Sequence, residues 1–117
     1  MASATVKTFC REALAAGEVW HLLGRPGAPA APLDDGRQAL LFWSTRARAE
    51  RVVARVPLFA GYQVGSVRLG LWRDRWLVNL AAEGMRVGLN WPATYAVGTH
   101  LEPEEVAAAL LVTERLG

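Results

Sequence analysis

Two short apolar runs close together near the N-terminus most constrain the fold. Residues 19–23 (Val-Trp-His-Leu-Leu) and 38–43 (Gln-Ala-Leu-Leu-Phe-Trp) have the length and the aliphatic and aromatic content of strands. Between them, residues 25–36 are rich in proline and glycine and read as a loop or a long hairpin connection. A chain with two early strands must bury them against something, and the remaining periodicity says what. Val6, Phe9, Cys10, Ala13 and Leu14 share one face of a helix over 5–16, with Gly17 placed to end it. Ser44 or Thr45 caps a second helix over 46–56, whose Ala49, Val52, Val53 and Val56 form the apolar side before Pro57 stops it. A short strand is expected at 63–67. Leu69, Trp72, Trp76, Leu77 and Leu80 define a helix over 69–82. Residues 85–91 alternate as a strand, with Arg86, Gly88 and Asn90 on one face and Pro92 at its end. Pro103 opens a last helix. The expected fold is α+β: one domain over 1–117, with a small mixed or antiparallel sheet covered by about four helices.

Composition agrees with one core. The 117 residues are 52% hydrophobic and 21% charged, which suits a globular chain with too little length for two ordinary domains. One cysteine, Cys10, excludes an internal disulfide framework and a multi-cysteine zinc site, and its place on an apolar helix face marks it as core. No run is long and apolar enough to span a bilayer, and residues 1–8 lack the apolar stretch of a signal peptide. A soluble, reduced, cytoplasmic protein is the expectation.

The net charge of +2 hides an uneven distribution. Residues 37–86 carry nine arginines against Glu50, Asp74 and Glu83, whereas 87–117 carry Arg115 against four glutamates. On the second helix Arg48, Arg51 and Arg55 fall on one stripe beside the valine face, and Arg46 and Glu50 are an i, i+4 pair. Arg68 and Arg75 would form a second stripe if the third helix began early enough. Five tryptophans accompany these charges. Trp43 and Trp91 stand at strand ends, and Trp72 lies one turn from Trp76 beside Arg73 and Arg75. Arginine beside tryptophan is the usual make-up of an interface anchor. The candidate binding residues are therefore Trp43, Arg48, Arg51, Arg55, Trp72, Arg75 and Trp91.

Several segments together resemble a bacterial family known only as a domain of unknown function, number 2750. They are Phe9-x-x-Glu12, Gly17-Glu-Val-Trp20, Leu41-Phe-Trp-Ser44 with its Ala/Arg-rich helix, the Trp76-centred helix, Val87-Gly-Leu-Asn-Trp91, Gly98 and Leu101-Glu-Pro-Glu104. The Pro/Ala/Gly stretch at 25–32 departs from the more aromatic stretch usual there. Phe42-Trp-Ser-Thr45 and Asn90-Trp-Pro92 are also distantly similar to the N-terminal domain of the secretion enhancer SseB. Neither family supplies a catalytic residue to carry over, and the resemblance implies a non-enzymatic interaction domain.

The chemistry-bearing residues point the same way. His21 and His100 have no metal-ligand spacing, Asp34-Asp35-Gly36 is a turn sequence, and Glu104 and Glu105 suit a helix N-terminus. No nucleophile elbow, phosphate loop or dinucleotide fingerprint is present. The expected function is a regulatory, adaptor or immunity-type protein-interaction module, with no cofactor or metal. It would meet an acidic protein, or a second copy of itself through the acidic C-terminal segment, and reversing Arg48 and Arg51 should weaken that association. Nucleic-acid binding through 46–75 and small-ligand binding in an apolar pocket are the alternatives.

Overall fold

The computed structural model describes residues 3–24, 27–94 and 97–117. Helix α1 (Ala4–Ala16) starts where the Ser3 side chain accepts the Val6 N–H, and ends at Gly17, whose φ of 73° a glycine adopts without strain. Strand β1 (Glu18–Leu23) follows directly. Strands β2 (Ala30–Pro32) and β3 (Gln38–Phe42) form an antiparallel hairpin, so the segment read as a loop or hairpin connection contains a short strand of its own. Its turn is closed by the Leu33 N–H on the Arg37 carbonyl and by the Asp35 carboxylate on the Arg37 N–H. Helix α2 (Arg46–Arg55) is capped by Thr45, not Ser44, and ends before a 3-10 turn at Pro57–Phe59. Then come β4 (Gln63–Arg68), α3 (Leu69–Leu71), a wide π-type turn (Trp72–Trp76), α4 (Leu77–Ala82), β5 (Arg86–Leu89), β6 (His100–Leu101) and α5 (Pro103–Leu116). Segments α3, the wide turn and α4 run on as the single helix expected over 69–82. No described helix is long and apolar enough to cross a membrane.

The strands make two sheets where one was expected. β1 pairs with β4 antiparallel, and the four-stranded mixed sheet has the order β2-β3-β5-β6 with β3 and β5 parallel. The two early strands are not neighbours along their length because each has its partners elsewhere. Among the described residues their backbones hydrogen-bond to each other at Trp20 and Trp43, the latter just past β3, through both N–H groups, at 2.8 and 2.9 Å. Arg68 closes β4, so it shares no helical stripe with Arg75.

Strand alternation divides the core. Phe42, Val87 and Leu89 point to one face of the mixed sheet, where α1, α4 and α5 bury them with Phe9, Trp72, Val106 and Leu110. Ala39, Leu41 and Trp43 point to the other face, under Val52, Val56 and Phe59 from α2 and the 3-10 turn. Two tryptophans thus anchor two different clusters.

His21 illustrates what burial costs a titratable group. Its ring lies 5.0 Å from that of Trp76 and opposite Gly65, where a Cβ would come within 3.1 Å of Cε1. Burial lowers its pKa below the ordinary 6.5, because the charged imidazolium would lose its hydration. The unfolded chain therefore takes up the proton first. Stability should be intact above about pH 6.5 and fall as the pH drops below that value. Thermal melts between about pH 7.5 and 5 should show this slope, and His21→Leu should flatten it. An unchanged slope in that variant would assign the effect to other groups. Glu12, Glu102 and Glu114 titrate in a separate window, below their ordinary 4.5.

Candidate functional site

Because β3 and β5 are parallel neighbours, they deliver their C-terminal residues to the same edge of the sheet, where ligand crevices of α/β sheets commonly lie. Trp43 and Ser44 leave β3 there, and Asn90 and Trp91 leave β5. The Asn90 N–H donates to the Phe42 carbonyl at 2.9 Å, which ties the two strand ends together. Asn90 takes a φ of 52°, the single positive value on a non-glycine among the described residues. Asparagine tolerates that left-handed conformation better than other side-chain-bearing residues.

The turn aims the Asn90 amide at Ser44. Its Oδ1 accepts the Ser44 N–H at 2.9 Å and its Nδ2 donates to Ser44 Oγ at 2.9 Å. The Ser44 hydroxyl then gives its own proton to Glu12 Oε1, 2.6 Å away. Glu12 holds Arg48 through both carboxylate oxygens, at 2.9 and 3.1 Å. Ser44 is fully buried, so each of these bonds replaces water that cannot reach it. The Arg48 hydrogen bond is the main reason the Glu12 carboxyl titrates low, with Ser44 adding to it.

Trp91 is seated by glycines. A Cβ at Gly88 would come within 2.8 Å of its Nε1, and one at Gly98 within 2.9 Å of its Cδ1. In that seat the Trp91 indole donates to the Thr99 carbonyl at 2.8 Å, and the Trp43 indole donates to the Trp91 carbonyl at 2.9 Å. Two concavities border Trp91. One, of about 320 Å³, is lined by Arg48, Arg51, Arg55, Asn90 and Thr94. The other, of about 540 Å³, is an apolar groove between the β2–β3 hairpin and α2. Val52, Trp91 and Pro92 belong to both walls.

The expected binding residues divide accordingly. Arg48, Arg51, Arg55 and Trp91 come together around the smaller cavity, and Trp43, itself 1% exposed, lies in the wall of the groove. Trp72 lies in the other cluster with its ring 5.7 Å from Phe9 and 5.2 Å from Phe42, fully buried and away from both concavities. Arg75 is exposed on the wide turn and lines neither. The arginine stripe is also less uniform than its spacing suggested. Arg48 is bound by Glu12, and Arg46 by Glu50 as its i, i+4 spacing proposed. Arg37 and Arg86 both clasp Glu102, and Arg73 pairs with Glu114. Arg51 and Arg55 have no hydrogen-bonding or ionic partner among the described residues.

Sequence reasoning missed Glu12, Ser44, Asn90 and Gly88 as parts of the site. Glu12 lies off the apolar face of α1, and its partners Ser44 and Arg48 are distant in sequence. For Gly88 and Asn90 the Gly-x-Asn-Trp spacing is the available signal, since it places a glycine and a residue tolerant of positive φ just before a tryptophan, whereas Ser44 carries no signal of its own. The histidines are engaged separately: His21 packs on Trp76, whereas His100 Nδ1 accepts from Arg86 Nε at 2.7 Å.

A family model described as a protein of unknown function, DUF2750, matches residues 6–110, and the chain belongs to that family. No curated protein matches the chain significantly.

Proposed function

We propose that this member of the DUF2750 family is a non-catalytic protein-interaction module that receives an acidic segment of a partner at the outer face of α2. One observation carries the reading: Arg51 and Arg55 are exposed and without partners among the described residues, beside the half-buried Trp91. Five other arginines of residues 37–86 are held in internal ion pairs, and the exposed Arg68 and Arg75 line neither concavity. An arginine already clamped by a carboxylate has spent its fork, whereas a free guanidinium can take a carboxylate with two parallel hydrogen bonds. Such a pair beside a tryptophan is suited to a local acidic contact. A polyanion needs a longer unneutralised surface than the Arg51–Arg55 pair beside this tryptophan provides.

The test is capture of partners from nuclease-treated lysate, followed by titration of the purified partner. Charge reversal belongs at Arg51 and Arg55, not at Arg48, where a glutamate would face Glu12 and disturb the fold. Arg51→Glu with Arg55→Glu should weaken binding by about a hundredfold, from two lost charge-assisted contacts of roughly 1.5 kcal/mol each. Equal binding by wild type and variant would overturn the reading. Light scattering of the chain alone reports whether the partner is a second copy, which would bring exposed Glu104 and Glu105.

A further inference from the structure

We infer that the apolar groove is a binding site for a small anionic amphiphile, a free molecule with a hydrocarbon or aromatic body and one acidic head group. The inference rests on Arg51 and Arg55 as an anion receptor and adds the apolar half of the site. At about 540 Å³ the groove falls within the size range of small-molecule pockets. Leu41, Trp43, Val56, Phe59, Tyr62 and Trp91 supply its larger walls. The facing hairpin contributes only alanine and proline side chains over residues 28–32, which leave the space open.

The polar chemistry of the lining selects the occupant. Both indole N–H groups are already spent, Trp43 on the Trp91 carbonyl and Trp91 on the Thr99 carbonyl. Among the described lining residues, the Tyr62 hydroxyl is the remaining polar side-chain group. A peptide laid in this groove would find few side-chain partners for its backbone amides, and each amide left unpaired costs kilocalories. A hydrocarbon body has no such groups to satisfy. The head is provided for at one end, where Val52, Trp91 and Pro92 pass from the groove wall into the cavity bordered by Arg51 and Arg55. A molecule lying along the groove can therefore keep its body on the tryptophans and its acid within reach of the free arginines.

The experiment is fluorescence titration with 8-anilinonaphthalene-1-sulfonate, an aromatic body bearing one anionic group, and competition by decanoate and by decanol. Amide NMR spectra accompany each titration, because this dye also stains partly unfolded chains. Wild type should bind one equivalent with a blue shift, and decanoate should displace it at about a tenfold lower concentration than decanol. Arg51→Gln with Arg55→Gln should bring the two competitors together. Ala31→Trp, which fills the groove from the hairpin, should abolish dye binding, and Val97→Trp does the same from an exposed position should the first variant fold poorly. Equal competition by acid and alcohol in wild type would overturn the inference, as would undiminished dye binding in a natively folded groove-filled variant. The partner-protein reading fails separately: it is lost if the arginine reversal leaves partner binding intact, whatever the dye does.

Discussion

Asn90→Ala is expected to destabilise the chain by about 2–4 kcal/mol, the sum of two effects with different origins. The first is conformational. The φ of 52° at Asn90 lies in the left-handed region, where an alanine Cβ crowds the following carbonyl at a cost of roughly 1 kcal/mol. The second is desolvation. Ser44 is fully buried and loses the acceptor for its N–H and the donor to its Oγ, and leaving such groups unpaired costs about 1–3 kcal/mol. Glycine at the same position separates the two. Asn90→Gly adopts the backbone freely but still abandons Ser44, so it should cost less than alanine and more than nothing. Denaturant unfolding of the three chains measures both parts. Equal losses for glycine and alanine would remove the conformational part, and a neutral glycine variant would remove the hydrogen-bonding part.

Gly88→Val should cost a similar amount for a steric reason. Valine has the higher strand propensity, so any loss must come from packing. A Cβ at Gly88 would stand 2.6 Å from Leu41 Cδ2 and 2.8 Å from Trp91 Nε1, and Gly88 itself is buried. Relief requires Trp91 to leave its seat, breaking the hydrogen bond to the Thr99 carbonyl. Overpacking of about 1–3 kcal/mol and a lost hydrogen bond of about 1 kcal/mol set the scale. The displacement has a direct readout in the Trp91 indole N–H resonance, which should move far more than that of Trp72 on the other side of the sheet. A stable variant with that resonance unmoved would contradict the seating of Trp91 on glycine. The same variant should also impair binding, because Trp91 walls both concavities.

The parts of this molecule that local chemistry decides were legible in its sequence. The apolar face of α1, the valine side of α2, Pro103 at the start of α5 and the arginine spacing on α2 all follow from one helix at a time. The pairing of Arg46 with Glu50 is of the same kind. What escaped depends on contacts between distant segments. Arg48 reads as one of three equivalent charges until α1 brings Glu12 against it. Trp72 and Trp43 look alike as tryptophans in apolar runs, yet one is deep in the cluster under α1 and the other borders the groove. The division into two sheets was hidden because strand composition does not say which strands pair. β6 has only two residues, too few for any pattern. The wide turn at Trp72–Trp76 carries no proline or glycine to announce it. The groove is a space between five segments, and no single one of them encodes it.

If Arg51 and Arg55 act together as the anion receptor beside Trp91, their loss must show in the binding of an acidic partner. Calorimetric titration of the captured partner against wild type, the Arg51→Glu/Arg55→Glu variant and Ala31→Trp decides this. Wild-type affinity should fall with added salt, the arginine reversal should remove most of the affinity and of that salt dependence, and the groove-filling change should leave both in place. Full, salt-sensitive affinity retained by the arginine variant would place the anion contact elsewhere.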